Sequence, residues 1–115
     1  MPKENFPAWY NLIKEKHGKF IEALEQLGET ARREGPLDEK TTHLVQLAAA
    51  AAIRSEGAVH SHLRRAMQAG ATPEEIYHTI IMLTSTIGFP NTSAAMSWVY
   101  SALEKKWVGE KVPSG

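Results

Sequence analysis

The sequence predicts an all-α protein, and three observations carry that reading. Apolar residues recur every three or four positions along most of the chain. Helix start and stop signals fall between the recurring stretches, and no segment alternates apolar and polar residues with the period of two that a half-buried strand needs.

The elements follow in order. After Pro7, "AWYNLIKEKHGKFIEALEQLGETARRE" reads as one long helix or two short ones, because Phe20, Ala23, Leu24, Leu27 and Ala31 keep helical spacing; Gly18 is the candidate break. "GPLD" at 35–38 is a turn, and the Asp38 carboxylate is placed to accept a bond from a free backbone N–H of the next helix. That helix, 39–54, holds Leu44, Leu47 and the alanines at 48–52, whose small side chains let another backbone approach closely. A further helix follows Gly57 and ends at Gly70, since glycine suits the left-handed position just past a C-terminus. Thr72, Pro73 and Glu75 spell a capping box with proline at the first helical position. The helix they start is expected to continue through 76–89, apolar around most of its circumference, and Pro90 and Asn91 open a last helix carrying Ala95, Trp98, Val99, Ala102 and Leu103.

A chain of 115 residues fits one domain, 1–115, with 109–115 expected to fray as a polar tail. Thirteen basic and thirteen acidic residues leave no formal net charge and no charged block, so a nucleic-acid partner is not expected. Apolar stretches stop short of the ~20 residues of a membrane span, and the N-terminus lacks a signal pattern, so no membrane partner and a cytoplasmic location are expected. There is no cysteine. Disulfides, thiolate catalysis and cysteine-ligated metals are therefore excluded.

The order "LDEKTTHLVQLAAAAAIRSEGAVHSHLRRAMQAGATPEEI" followed by "TIGFPNTSAAM" resembles the carboxymuconolactone decarboxylase family, which includes the alkylhydroperoxidase D-type proteins. The likeness runs from Leu37 onward and is weaker before it. It implies an alkylhydroperoxidase D-like helical domain of about six helices that assembles as an oligomer, a homohexamer built as three dimers. The peroxidase branch of the family carries E-x11-C-x-x-C-x3-H. Counting back from His62 puts its cysteines at Ala58 and Ser55 and its glutamate at His43, so three of its four working residues are missing. An antioxidant peroxidase is the alternative these substitutions oppose, because its cycle needs an attacking thiolate and a resolving thiol. "SEGAVHSHLRRA" resembles the decarboxylase branch at Glu56, Gly57, His62, Leu63, Arg64 and Ala66, and departs from it at His43, Ser55 and His60.

That branch implies a lyase needing no cofactor and no metal, acting on a small carboxylated lactone or related unsaturated acid. Its electron sink lies in the substrate, and the protein supplies a charge-stabilising pocket and a proton donor. His62 is the candidate general acid, on a small-residue face with Ser55, Val59 and Ala66. Packing as in the family would bring His43 across from His62, as orienter of the acid or as a buried polar partner; two imidazoles alone are a weak metal signal. Glu56 is either a ligand-facing carboxylate or a first-turn residue favoured by the helix dipole. Ser55 is assigned to the substrate face, and Arg54, Arg64 and Arg65 are candidates for gripping a carboxylate, although a solvated helix face is the commoner fate of such residues. His60 points about 200° around the helix from His62 and is read as surface or subunit contact. Trp98, Met96 and Phe89 are candidate pocket walls or core. A non-catalytic oligomer of the same fold is the third reading. Apolar residues facing several directions from 76–89, with Trp9, Trp98 and Trp107, argue for partner subunits.

Overall fold

The computed structural model describes residues 7–107, with side chains described as far as 104. Among them the protein is all-α: α1 (Ala8–Lys16), α2 (Gly18–Arg33), α3 (Glu39–Ala52), α4 (Glu56–Gln68), α5 (Pro73–Ile81), α6 (Thr84–Ile87) and α7 (Phe89–Trp107). The chain divides into two compact units, Met1–Leu37 and Asp38–Gly115.

In the first unit the helix pair breaks at His17, so Gly18 opens α2. Tyr10 donates its hydroxyl to Glu25 Oε2 at 2.7 Å, tying α1 to α2. Ile21 is buried, whereas Phe20, Leu24 and Leu27, one stripe of α2 by spacing, are exposed.

The second unit begins where the Asp38 carboxylate accepts from the Thr41 N–H at 2.8 Å, the cap that starts α3. The capping box at α5 is complete: Glu75 N–H donates to the Thr72 hydroxyl at 3.1 Å, and Thr72 N–H donates to Glu75 Oε1 at 3.0 Å. Lys40 Nζ, 3.1 Å from Glu75 Oε2, adds a tie from α3 to α5. The core joins Leu47, Ala50 and Ala51 of α3, Val59, Leu63 and Ala66 of α4, Ile76 and Ile80 of α5, and Ala95, Val99 and Leu103 of α7. Ala50, Ala51 and Ala66 bring the helix backbones close, as the alanine run suggests. Ile76 and Ile80 are fully buried, and burying such side chains contributes ~1.5–3 kcal/mol each.

One expected element differs. The stretch 76–89 is not a single helix: α5 stops at Ile81, and α6 is a four-residue turn, Thr84–Ile87, closed by Gly88, whose φ is +88°. Thr84, Ser85 and Thr86, poor helix formers, follow the break. Thr84 Oγ1 donates to the Ile81 carbonyl at 2.8 Å, and such hydroxyls offer the backbone an alternative to the helical ladder. No described helix is long and apolar enough to cross a membrane.

Candidate active site on the α3–α4 hairpin

Helices α3 and α4 are joined by three residues, Ile53, Arg54 and Ser55. The turn closes through paired backbone bonds, Ser55 N–H to the Ala50 carbonyl and Arg54 N–H to the Ala51 carbonyl, each 3.0 Å. This is the Schellman arrangement, which requires a left-handed residue just past the helix end. Arg54 supplies it with φ +59°. Ser55 then serves both helices, since its hydroxyl caps α4 by accepting from Ala58 N–H at 3.4 Å.

So short a connection sets the two helices side by side and brings His43 and His62 together. Their ring centroids are 5.7 Å apart with planes tilted by 34°. His43 is buried at 3% exposure, and His62 is half-buried. Val59 and Ala66, one turn to either side of His62, are buried with no exposed surface. A polar pair thus sits within an otherwise apolar, small-residue packing face. Gln46, one turn beyond His43, has its Oε1 buried with no hydrogen-bond partner among the described residues. Sequence reading passed over Gln46, although its spacing of three from His43 makes the two neighbours on α3.

The remaining candidates are spread around this pair. Glu56 is exposed in the first turn of α4, and its Oε2 lies 3.5 Å from His60 Nε2 one turn along. That places His60 on the Glu56 side of the helix, as its spacing indicates. Arg64 and Arg65 are half-buried, Arg65 in the last turn of α4 where a cation suits the helix dipole. Arg54 is exposed and donates from Nη1 to Asn91 Oδ1. Asn91 in turn donates from Nδ2 to the Ile87 carbonyl at 2.8 Å. Among the described residues no group of three histidine, cysteine, aspartate or glutamate side chains is placed to hold a metal ion.

A separate cavity of about 330 Å³ lies between α5 and α7, lined by Tyr77, Phe89, Thr92, Met96, Tyr100 and two serines. It contains none of the predicted catalytic residues. Phe89 and Met96 wall it, whereas Trp98 packs against the core. Burial raises the Tyr77 phenol above its ordinary pKa, with Glu104 and Tyr100 adding to the shift.

The sequence matches the family model described as "Carboxymuconolactone decarboxylase family" over residues 18–100. The chain belongs to this family. The match opens at the first residue of α2 and closes within α7, so it takes in part of each compact unit and the whole α3–α4 hairpin. Comparison with curated proteins and with solved structures gave no match to either. Within this carboxymuconolactone decarboxylase family member, the positions that align by spacing with peroxidase cysteines are a capping serine and a half-buried alanine, Ser55 and Ala58.

Proposed function

We propose that the protein is a lyase that removes a carboxyl group from a carboxylated lactone or related unsaturated acid, with His62 as proton donor and His43 as its orienting partner. The observation that carries this reading is the pairing of two imidazoles 5.7 Å apart on facing helices, one of them buried, in a chain whose family membership rests on the same helices. In the step proposed, the bond to the carboxyl carbon breaks and its electron pair enters the conjugated system of the substrate. Carbon dioxide leaves, and protonated His62 delivers a proton to the carbanion carbon, forming the C–H bond. Solvent returns the proton to His62. Net, one carboxylate and one proton become one C–H and one CO₂. Histidine fits because its ordinary pKa lies near neutrality, so both protonation states are accessible. Thiol-dependent peroxide reduction is opposed by the absence of any cysteine. A screen of unsaturated lactone acids and keto acids for carbon dioxide release tests the reading, and no release from any of them would reject it.

The working form proposed is a homo-oligomer, a hexamer on the family resemblance. Exposed apolar side chains support it: Phe20 and Leu27 are 62% and 65% exposed, and Ile81, Met82 and Phe89 are exposed as well. Trp9 is exposed and Trp98 half-buried, while the side chain of Trp107 lies outside the described residues. Light scattering behind size exclusion at micromolar protein should give a mass several times 12.7 kDa. A stable monomer would reject assembly, and a persistent dimer or trimer would reject only the hexamer.

A further inference from the structure

The groove between α5 and α7 takes no part in the reaction proposed above, and its chemistry is the reverse of an acid-binding site. Phe89, Ser93, Met96 and Tyr100 recur at three- and four-residue spacing, so they form one stripe of α7 about 16 Å long at 1.5 Å per residue. Tyr77 of α5 closes the other side. The volume of about 330 Å³ falls within the range of small-molecule pockets, ~300–1,000 Å³. No lining residue carries a charge. Glu104 continues the stripe one turn past Tyr100; it is half-buried, and among the described residues no cation forms an ion pair with it. This carboxylate lies near enough to act on the Tyr77 phenol, whose pKa is raised first by burial and then by Glu104 and Tyr100.

We propose that this groove binds an organic ammonium ion, its charge held at the end formed by Tyr77, Tyr100 and Glu104 and its apolar body laid along Met96 toward Phe89. Charge complementarity selects that class. The electron-rich faces of the two phenol rings and of Phe89 attract a cation and not an anion, and Glu104 adds the full negative charge that the uncharged lining lacks. A carboxylate ligand would meet Glu104 as a like charge. A wholly apolar ligand would fill the groove and leave Glu104 without a counter-charge at its edge. The length of the stripe accommodates a body of several carbons beyond the charged nitrogen, and the Met96 thioether suits an aromatic or alkyl group there. No residue of the groove belongs to the His43–His62 pair, so the site stands or falls independently of the lyase reading.

Calorimetry of the full chain at pH 7 with 2-phenylethylamine, which is protonated there, and with 2-phenylethanol, its neutral analogue of equal length, tests the assignment. The amine should bind about tenfold more tightly than the alcohol. Glu104→Gln, a change at a half-buried position that keeps the shape of the side chain, should shrink that preference to about threefold, what the ring faces alone supply. Tyr100→Leu keeps an apolar wall and loses a ring face, so it should weaken the amine more than the alcohol. Ser97 is exposed and lines the groove, so the indole of Ser97→Trp should plug it and abolish binding of both ligands while the melting temperature holds. Equal binding of amine and alcohol by the native protein overturns the inference, as does an undiminished preference in Glu104→Gln or unchanged binding in Ser97→Trp. If neither ligand binds and Ser97→Trp instead lowers the mass seen by light scattering, a second copy of the chain fills the groove and the ammonium site falls.

Discussion

Two helix ends in this protein have the same backbone and opposite residue choices. α3 closes with Ser55 N–H on the Ala50 carbonyl and Arg54 N–H on Ala51, and α4 closes with Ala71 N–H on the Ala66 carbonyl at 2.9 Å and Gly70 N–H on Met67 at 3.0 Å. Both turns need a residue at positive φ, +59° in one and +105° in the other. At the second, a Cβ would meet nothing within 4 Å, so Gly70 serves conformation alone. At the first, the chain accepts strain and gains a guanidinium on Asn91. A non-glycine residue in this conformation persists only where its surroundings hold it, and here the Asn91 bond does so. The turn that carries Arg54 is also the turn that sets His43 and His62 face to face. On the function proposed above, the α3–α4 end carries the chemistry and the α4–α5 end is support.

The largest expected effect comes from removing the proton donor proposed beside the first turn. His62→Ala should lower the rate of carbon dioxide release at least about a hundredfold, the low end for a positioned acid, while circular dichroism remains helical. Full activity in a folded variant would break the comparison at its functional side.

At the supporting end, Gly70→Ala should lower stability by about 1–2 kcal/mol, because alanine is forced into a conformation that its Cβ disfavours. Since no atom crowds the position, the cost is conformational, and activity per folded molecule should stay at the native value. Denaturant melts with turnover measured on the same samples check both halves. A stability loss accompanied by an equal loss of specific activity would show that the α4–α5 turn is not mere support.

Arg54→Gly should change stability by no more than about 0.5 kcal/mol. Relief of the left-handed strain is offset by loss of the Asn91 hydrogen bond and by the greater freedom of glycine in the unfolded chain. Melting temperature should therefore be nearly constant in this variant. A fall in stability as large as that of Gly70→Ala would make Arg54 a structural tie.

How far each turn is legible in the sequence follows from the same physics. Gly70 is followed by Thr72, Pro73 and Glu75, and all four signals act through neighbours within five residues, so the helix end and the capping box are readable in advance. Asp38 is readable for the same reason. The α3 end carries no glycine, and the partner that justifies Arg54 lies 37 residues away at Asn91, beyond anything that local spacing encodes. The α5–α6 break was hidden because apolar residues on both sides of Thr84 keep helical spacing, and the Thr84 bond to the Ile81 carbonyl is visible only in three dimensions. His43 and His62 are 19 positions apart, and their meeting was expected from the family likeness and not from periodicity. Gln46 shows the remaining limit: helical spacing makes it a neighbour of His43, but the burial of its Oε1 depends on how neighbouring elements pack.

The smallest expected effect is an acid sensitivity lodged at the supporting end. Bonding from the Thr72 backbone N–H, followed by Lys40, holds the Glu75 carboxyl below its ordinary pKa, and the Thr41 bonds do the same for Asp38 at the start of α3. A carboxyl whose folded pKa is depressed contributes stability above its unfolded value, about 4.3 for glutamate, and loses it as pH falls through the folded value. Melting temperature should therefore be flat from neutrality to about pH 5 and decline below it, as protons reach the unfolded chain first. Asp38 is exposed and Glu75 only half-buried, with its Lys40 partner screened by solvent, so the slope should be shallow and should flatten further in high salt. Glu75→Gln removes the titrating group while an amide oxygen still accepts from Thr72, so its melting curve should show a weaker decline, with Asp38 supplying what remains. An identical slope in Glu75→Gln and the native protein would place the acid response elsewhere, and the α4–α5 turn would then be held by conformation alone, with its charge irrelevant.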